Sequence, residues 1–272
     1  MTTQLKPERV PGEPQAPSRP VKKRLLLFFV SLALGLLLWQ AVVSLFDMPA
    51  FIMPSPGQVA VRTVTAFQAG LIQRHLFFTI LEVLLGLLIG SGLATLLGYL
   101  LAKSPSLEKL TSPYLVASQS IPIVAIAPLI VIWFGPGLLS KVLICALIVF
   151  FPVLINTLVG LREVPQDLHH LMRSLYATRW QTLRYLEVPS ALPIFLGGLR
   201  VGATLSVIGA IVGELVGSDR GLGFLINVGR GQYDTALVFV AVIALIIMAS
   251  SLYGLVLLIE SRVLAWQTWR KL

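Results

Sequence analysis

Residues Arg162 to Pro193 read REVPQDLHHLMRSLYATRWQTLRYLEVPSALP, the one long polar passage between two strongly apolar regions. Pro165 suits the first turn of a helix, where its missing N–H costs nothing. Leu168, Leu171, Met172 and Leu175 then follow the i, i+3, i+4, i+7 spacing of one apolar face. Thr178 and Gln181 stand as a capping box that opens a second helix, which Pro189 ends. A plain connection between two membrane spans needs only a handful of residues. This passage carries two short helices back to back, an arrangement suited to docking.

The flanking regions set the class. Of 272 residues, 56% are hydrophobic and 12% charged, and the mean hydropathy is +0.87. Soluble domains average about 25% charged residues. No soluble fold could hide so much apolar surface, so the chain reads as an all-α polytopic membrane protein. The net charge of +9 then concerns topology and anionic lipid rather than nucleic acid, since the basic residues sit between spans and not on one aromatic-studded face. Cys145, the single cysteine, lies in an apolar run and excludes an internal disulfide and any multi-cysteine metal site. It reads as a small buried hydrophobe.

Residues 1–24 are rich in Pro, Glu, Gln and Ser and predict a disordered tail. Lys22, Lys23 and Arg24 lead into an apolar run from Leu25 to Phe46, too long for the h-region of a signal peptide, which has roughly 7–15 residues, and with no cleavage site after it. The rest, 25–265, reads as one transmembrane domain. Its spans are predicted at about 25–46, 76–102, 114–134, 138–161, 194–216 and 236–259, each near the ~20 residues a bilayer requires. The stretch 162–193 is the loop between the fourth and fifth. Gln58 to Gln73 predicts a short amphipathic surface helix. Gly86, Gly90, Gly92 and Gly98 in the second span would let a neighbouring helix approach closely. Pro122 and Pro128 interrupt the third.

Six spans put both termini on one side. With the N-terminus inside, the inner segments hold 6, 2, 4 and 3 Lys/Arg, or 15, against 5 outside (Arg62, Arg74, Lys141, Arg220, Arg230), with Arg200 in a span completing the 21. The positive-inside rule therefore places the termini and the 162–193 loop in the cytoplasm.

Glu82, Arg200 and Glu214 lie at membrane depth, where each charge costs at least ~2.5 kcal/mol and must face protein or water. They are candidates for lining or gating a pathway; structural pairing or snorkelling is the competing explanation. His75, His169 and His170 lie outside the spans, and no metal-ligand spacing occurs. His169 and His170 are adjacent and point about 100° apart on a helix, so they make poor partners for one metal. The absence of G-x-x-x-x-G-K-[ST] excludes a P-loop ATPase within this chain. Gly217 to Gly223 (GSDRGLG) reads as a turn-rich re-entry near the outer face rather than a phosphate site, because no strand precedes it.

Three segments in order carry a resemblance: SIPIVAIAPLIVIWFGPG (Ser120–Gly137), S-L-x-A-T-R-W-Q-T-L-R-x-x-x-x-P-x-A-L-P (Ser174–Pro193) and GLRVGATLSVIGAIVGELVGSDRGLGFLI (Gly198–Ile226). Over roughly residues 25–265 the chain resembles the permease subunit of bacterial ABC importers. The branch is the one serving nitrate, taurine, alkanesulfonates and riboflavin or thiamine-pyrimidine precursors. The resemblance implies a non-enzymatic, multi-pass subunit of the bacterial inner membrane without a cofactor. It also implies an ATP-binding partner subunit that hydrolyses ATP, an extracytoplasmic solute-binding protein and a second permease copy, usually a homodimer. The 162–193 loop would be the coupling loop, with His170, Leu171, Met172, Arg173, Leu175, Tyr176 and Ala177 as its contact residues.

The loop departs from the family pattern. That pattern reads E-A-A, three residues, Gly, nine residues, then I-x-L-P. Counted back from Pro189, those places hold His170-Leu171-Met172, Tyr176 and Leu186-Glu187-Val188-Pro189. The acidic charge is gone, so the docking surface should be more apolar, with Arg173, Arg179 and Arg184 at its rim. Tyr176 replaces a glycine suited to a left-handed turn, where another residue costs roughly 1–2 kcal/mol; either the turn differs or the strain is tolerated. The Leu171-Met172-Arg173-Ser174 run resembles the vitamin-precursor members and leans the substrate toward a flat heterocycle. A secondary transporter is the rival, but it calls for inverted repeats and ion-coupling carboxylates, and neither pattern is visible. A membrane-embedded enzyme would need a nucleophile or metal constellation, and none is present.

Overall fold

The computed structural model describes residues 21–266; the predicted tail up to residue 20, and Arg270 and Lys271 at the other end, lie outside the described residues. In order come α1 (Val21–Leu45), α2 (Pro56–Gln68), α3 (Leu71–Lys103), α4 (Pro105–Gln119), α5 (Ile123–Phe134), α6 (Leu138–Arg162), α7 (Gln166–Ser174), α8 (Arg179–Thr182), a π-helical turn (Leu183–Glu187), α9 (Val188–Val216), α10 (Leu222–Gly231) and α11 (Thr235–Val263). The chain divides into two units at Pro49 and Ala50. In the first, α1 begins at Val21, ahead of the predicted Leu25, and its described leucines are largely exposed.

In the second unit α3, α6, α11 and the run Arg179–Val216 are each long and apolar enough to cross a bilayer, and the α4–α5 pair would make a fifth span. That pair corrects the third predicted span, which is two helices meeting at 93°. Pro122 forces the break, having no N–H and holding Ile121 out of the α region. Pro128 and Pro113 lie inside α5 and α4 without ending them.

A second correction concerns Pro189, which does not end the loop's second helix. Arg179 to Val216 is one continuous helical run with Pro189 in the first turn of α9. The π turn before it explains how. The Val188 N–H reaches back to the Leu183 carbonyl, one residue further than in an α-helix. This widening accommodates the prolyl ring and its missing donor.

Lipid tails are as apolar as leucine, so helices in a bilayer gain little from hydrophobicity and associate through close packing. The core of α3, α6 and α9 is built that way. A Cβ on Gly90 would lie 2.5 Å from the Ala146 carbonyl oxygen, and one on Gly209 2.9 Å from Cys145 Cα. Gly86 and Gly98 also face α6, whereas Gly92 has nothing within 4 Å. Cys145 is buried in a cluster with Val83, Val207, Ala210 and Leu245, joined by Leu222 and Leu225 of α10.

Candidate functional site

The loop helix α7 is amphipathic and largely uncovered. Leu168, Leu171 and Leu175 are 39%, 53% and 67% exposed, while Met172 is half-buried. His170, Arg173 and Tyr176 are exposed and Ala177 is half-buried. The helix stops in a Schellman motif, in which Ala177 N–H donates to Met172 O (3.0 Å) and Tyr176 N–H to Arg173 O (2.9 Å). Tyr176 takes the left-handed place with φ 52°, so the turn is kept and the strain is tolerated. Tyr176 is 95% exposed, and Trp180 and Tyr185 of the next turns are exposed as well, at 67% and 68%. The next helix opens with the predicted capping box: Gln181 N–H donates to Thr178 Oγ1, and Thr178 N–H donates to Gln181 Oε1.

Ion pairs that the sequence reading missed tie this loop down. Glu187, buried in the π turn, accepts from Lys103 Nζ at the end of α3, and His169 Nε2 of α7 lies 3.2 Å from the same Oε1. Arg162 at the end of α6 pairs with Glu108 of α4. Lys103 and Glu187 stand 84 positions apart, and no local pattern joins them.

Within the bundle, Glu82 and Glu214 come together and Arg200 does not join them. Glu214 accepts from Thr79 Oγ1 (2.7 Å) and from the Gly223 N–H (2.5 Å). Leu222 N–H donates to Thr79 Oγ1 (2.9 Å), and Gly221 N–H to His75 Nδ1 (3.1 Å). The free N–H groups at the start of α10 are thus capped by side chains of α3 and α9. Gly221 has φ 100°, and a Cβ there would run into the Glu214 carboxylate. Glu82 is buried beside Glu214 and Lys141.

Lys141 is held more closely than a loop charge would be. Expected among the outer charges, it is fully buried, and its ammonium donates to the Pro136 and Gly217 carbonyls, closing the end of α9. Its place inside the predicted 138–161 span was the available signal. Arg200 pairs instead with Glu260 of α11, just beyond the predicted sixth span. The candidates therefore fall into two places: a polar lock at the α10 end, and a separate α9–α11 ion pair.

Residues 94–265 match the family described as binding-protein-dependent transport system inner membrane component. The riboflavin transport system permease protein RibX of Chloroflexus aurantiacus is 48% identical over 88% of this chain and 89% of its own length. The formylaminopyrimidine transport permease protein ThiX of Halalkalibacterium halodurans is 35% identical over 89% of this chain and 94% of its own. The taurine transport system permease protein TauC of Escherichia coli is 31% identical over 84% of this chain and 85% of its own. Among solved structures, an inward-facing MetNI methionine ABC transporter chain shares the fold at TM-score 0.57 and 20% identity, over 71% of this chain and 94% of that one. That family implies an ATP-binding subunit and a solute-binding protein as partners, and a transport subunit rather than an enzyme. The loop helix, the broken span and the close-packed apolar bundle are those of a multi-pass membrane protein, and the chain belongs to the family of ABC importer permease subunits.

Proposed function

We propose that the chain forms the translocation pathway of an ATP-driven importer for a small organic solute of the vitamin or vitamin-precursor type, such as riboflavin or a thiamine pyrimidine. The observation that carries the coupling role is the uncovered apolar face of α7, ended by the exposed Tyr176. An exposed apolar patch on a fixed helix is a docking surface. His170, Leu171, Met172, Arg173, Leu175, Tyr176 and Ala177 would seat in the ATP-binding subunit, where ATP is hydrolysed. The Lys103–Glu187–His169 ties would pass the movement into α3 and α9.

In this reading the bundle crosses the membrane six times with both termini and the 162–193 loop in the cytoplasm, and a second copy completes the pathway. Residues 25–265 form the membrane domain, and lipid covers its outer helices. The substrate rests on the 48% identity to a riboflavin permease. The similarity to a sulfonate permease at 33% and a taurine permease at 31% supports a second reading, in which the solute is an alkanesulfonate, taurine or nitrate.

The test is uptake into proteoliposomes holding the permease, its ATP-binding subunit and its solute-binding protein. Riboflavin or a formylaminopyrimidine should accumulate only with ATP. Accumulation that survives loss of the ATP-binding subunit overturns the importer reading, and uptake confined to taurine or a sulfonate favours the second solute class.

A further inference from the structure

The α4–α5 break packs beside the middle of α6 and of α9, two helical runs long enough to cross a bilayer. The cavity beside it, about 390 Å³, is lined from the middle of α6 (Ile148, Phe151, Pro152) and from Leu205 in the middle of α9, together with Ser118 and Gln119 at the end of α4. Ser120, Ile121 and Pro122, which make the break, are exposed. Irregular backbone at this depth is tolerated only where it is buried in protein or borders a water-filled cavity. Broken helices meeting at mid-bilayer are where transported solutes are held in other membrane proteins. The volume also falls in the range of small-molecule sites, ≈ 300–1,000 Å³.

The chemistry of the lining is selective. Ser118 Oγ and Gln119 Nε2 both donate to the Leu115 carbonyl, at 2.9 and 3.3 Å. That leaves the Gln119 carbonyl oxygen, its second N–H and the Ser118 lone pairs for a solute. Phe151 meets Phe150 edge-on, with ring centroids 5.3 Å apart at 85°. No ionisable side chain lines the cavity. Arg200 is committed to Glu260, and Lys141 to two carbonyls. A sulfonate or nitrate at this depth would find no counter-charge, and an unpaired anion in such a place is costly.

We infer that this cavity is a solute station of the pathway, built for an uncharged, flat heterocycle that stacks on Phe151 and hydrogen-bonds along one edge to Gln119 and Ser118. The inference rests on the importer reading and adds a site and a charge class to it.

The experiment uses the complete reconstituted transporter, with riboflavin as probe. Phe151→Leu and Gln119→Leu should each raise the KM for riboflavin uptake about tenfold, the scale of one lost ring or amide contact. Binding-protein-stimulated ATP hydrolysis should persist. Because either variant could disturb folding, Gln119→Cys provides a second readout against the buried native Cys145. Its new thiol should react with a polar, membrane-impermeant reagent, and riboflavin should slow that reaction. Unchanged KM in both leucine variants overturns the site. So does a thiol in Gln119→Cys that neither reacts nor is protected while the native transporter imports riboflavin. Import of taurine or an alkanesulfonate with riboflavin refused overturns the charge class. A native complex with no ATP-dependent uptake of any of these solutes sinks the importer reading itself.

Discussion

The Ala177 N–H and the Met172 carbonyl, 3.0 Å apart, close the long bond of the motif that ends α7. The closure demands a left-handed residue between them, and Tyr176 supplies it at φ 52°. A left-handed residue other than glycine costs roughly 1–2 kcal/mol, and no buried contact of the ring offsets this, since Tyr176 is 95% exposed. A strained position that places an aromatic ring in solvent is what the proposed docking role of Tyr176 calls for.

Tyr176→Gly separates the two effects. Relief of the strain, less the greater entropy glycine loses on folding, should leave the isolated permease more stable by about 0.5–1 kcal/mol. Thermal unfolding in detergent would show it. The same variant should bind the ATP-binding subunit more weakly. Tighter or unchanged binding would remove Tyr176 from the docking surface.

Leu171→Asp with Leu175→Asp tests the apolar face itself. These two are the exposed members, while Met172 is half-buried and partly serves the loop's own packing. The double variant should insert and keep its helix content, yet lose co-purification with the ATP-binding subunit and lose uptake. Charges buried without partners in an interface have this effect.

Glu187 should matter more than either of its partners. It is buried and meets both Lys103 and His169, whereas the Lys103 side chain is 45% exposed and can turn to water. Glu187→Gln should lower stability by about 1–2 kcal/mol, and Lys103→Ala by clearly less. Equal losses would mean that Glu187 is held by something other than this network.

The loop was legible in sequence because its signals are local: the leucine spacing of α7, and the Thr178–Gln181 box three residues wide. Four of the apolar lengths, at 76–102, 138–161, 194–216 and 236–259, fall in helical runs long enough to cross a bilayer. What stayed hidden has two physical causes. A proline is compatible with a helix end, a first turn or a break, so Pro189 and Pro122 read alike until the π turn and the 93° bend are seen. Pairing between distant positions leaves no periodic trace, as with Arg162 and Glu108, or with Glu214 and Thr79. Lys141 was the exception, since its place inside an apolar run already required a partner.

Gly90 and Gly92 provide a contrast within one helix. A methyl at Gly90 meets the Ala146 backbone, which cannot yield, while one at Gly92 meets nothing within 4 Å. Gly90→Ala should force α3 and α6 apart and lower the unfolding temperature. Gly92→Ala should be neutral or gain up to about 1 kcal/mol from helix propensity. If both variants unfold alike, the α3–α6 contact is looser than these distances imply.

The Arg200–Glu260 pair joins α9 to α11, and a pair at this depth has two possible uses that a mutant cycle can tell apart. If its role is to hold the two helices, Arg200→Leu and Glu260→Leu should each weaken the permease by leaving a charge without its partner. The double variant should then recover much of the loss, because an apolar pair suits the bilayer as well as an ionic one. Uptake would follow stability through the series. If Arg200 instead faced the solute, the double variant would recover stability without recovering uptake. The first outcome is expected, since the guanidinium is already engaged by Glu260 and lines no part of the cavity at the α4–α5 break. Melting temperature and riboflavin uptake measured on the same four proteins decide it.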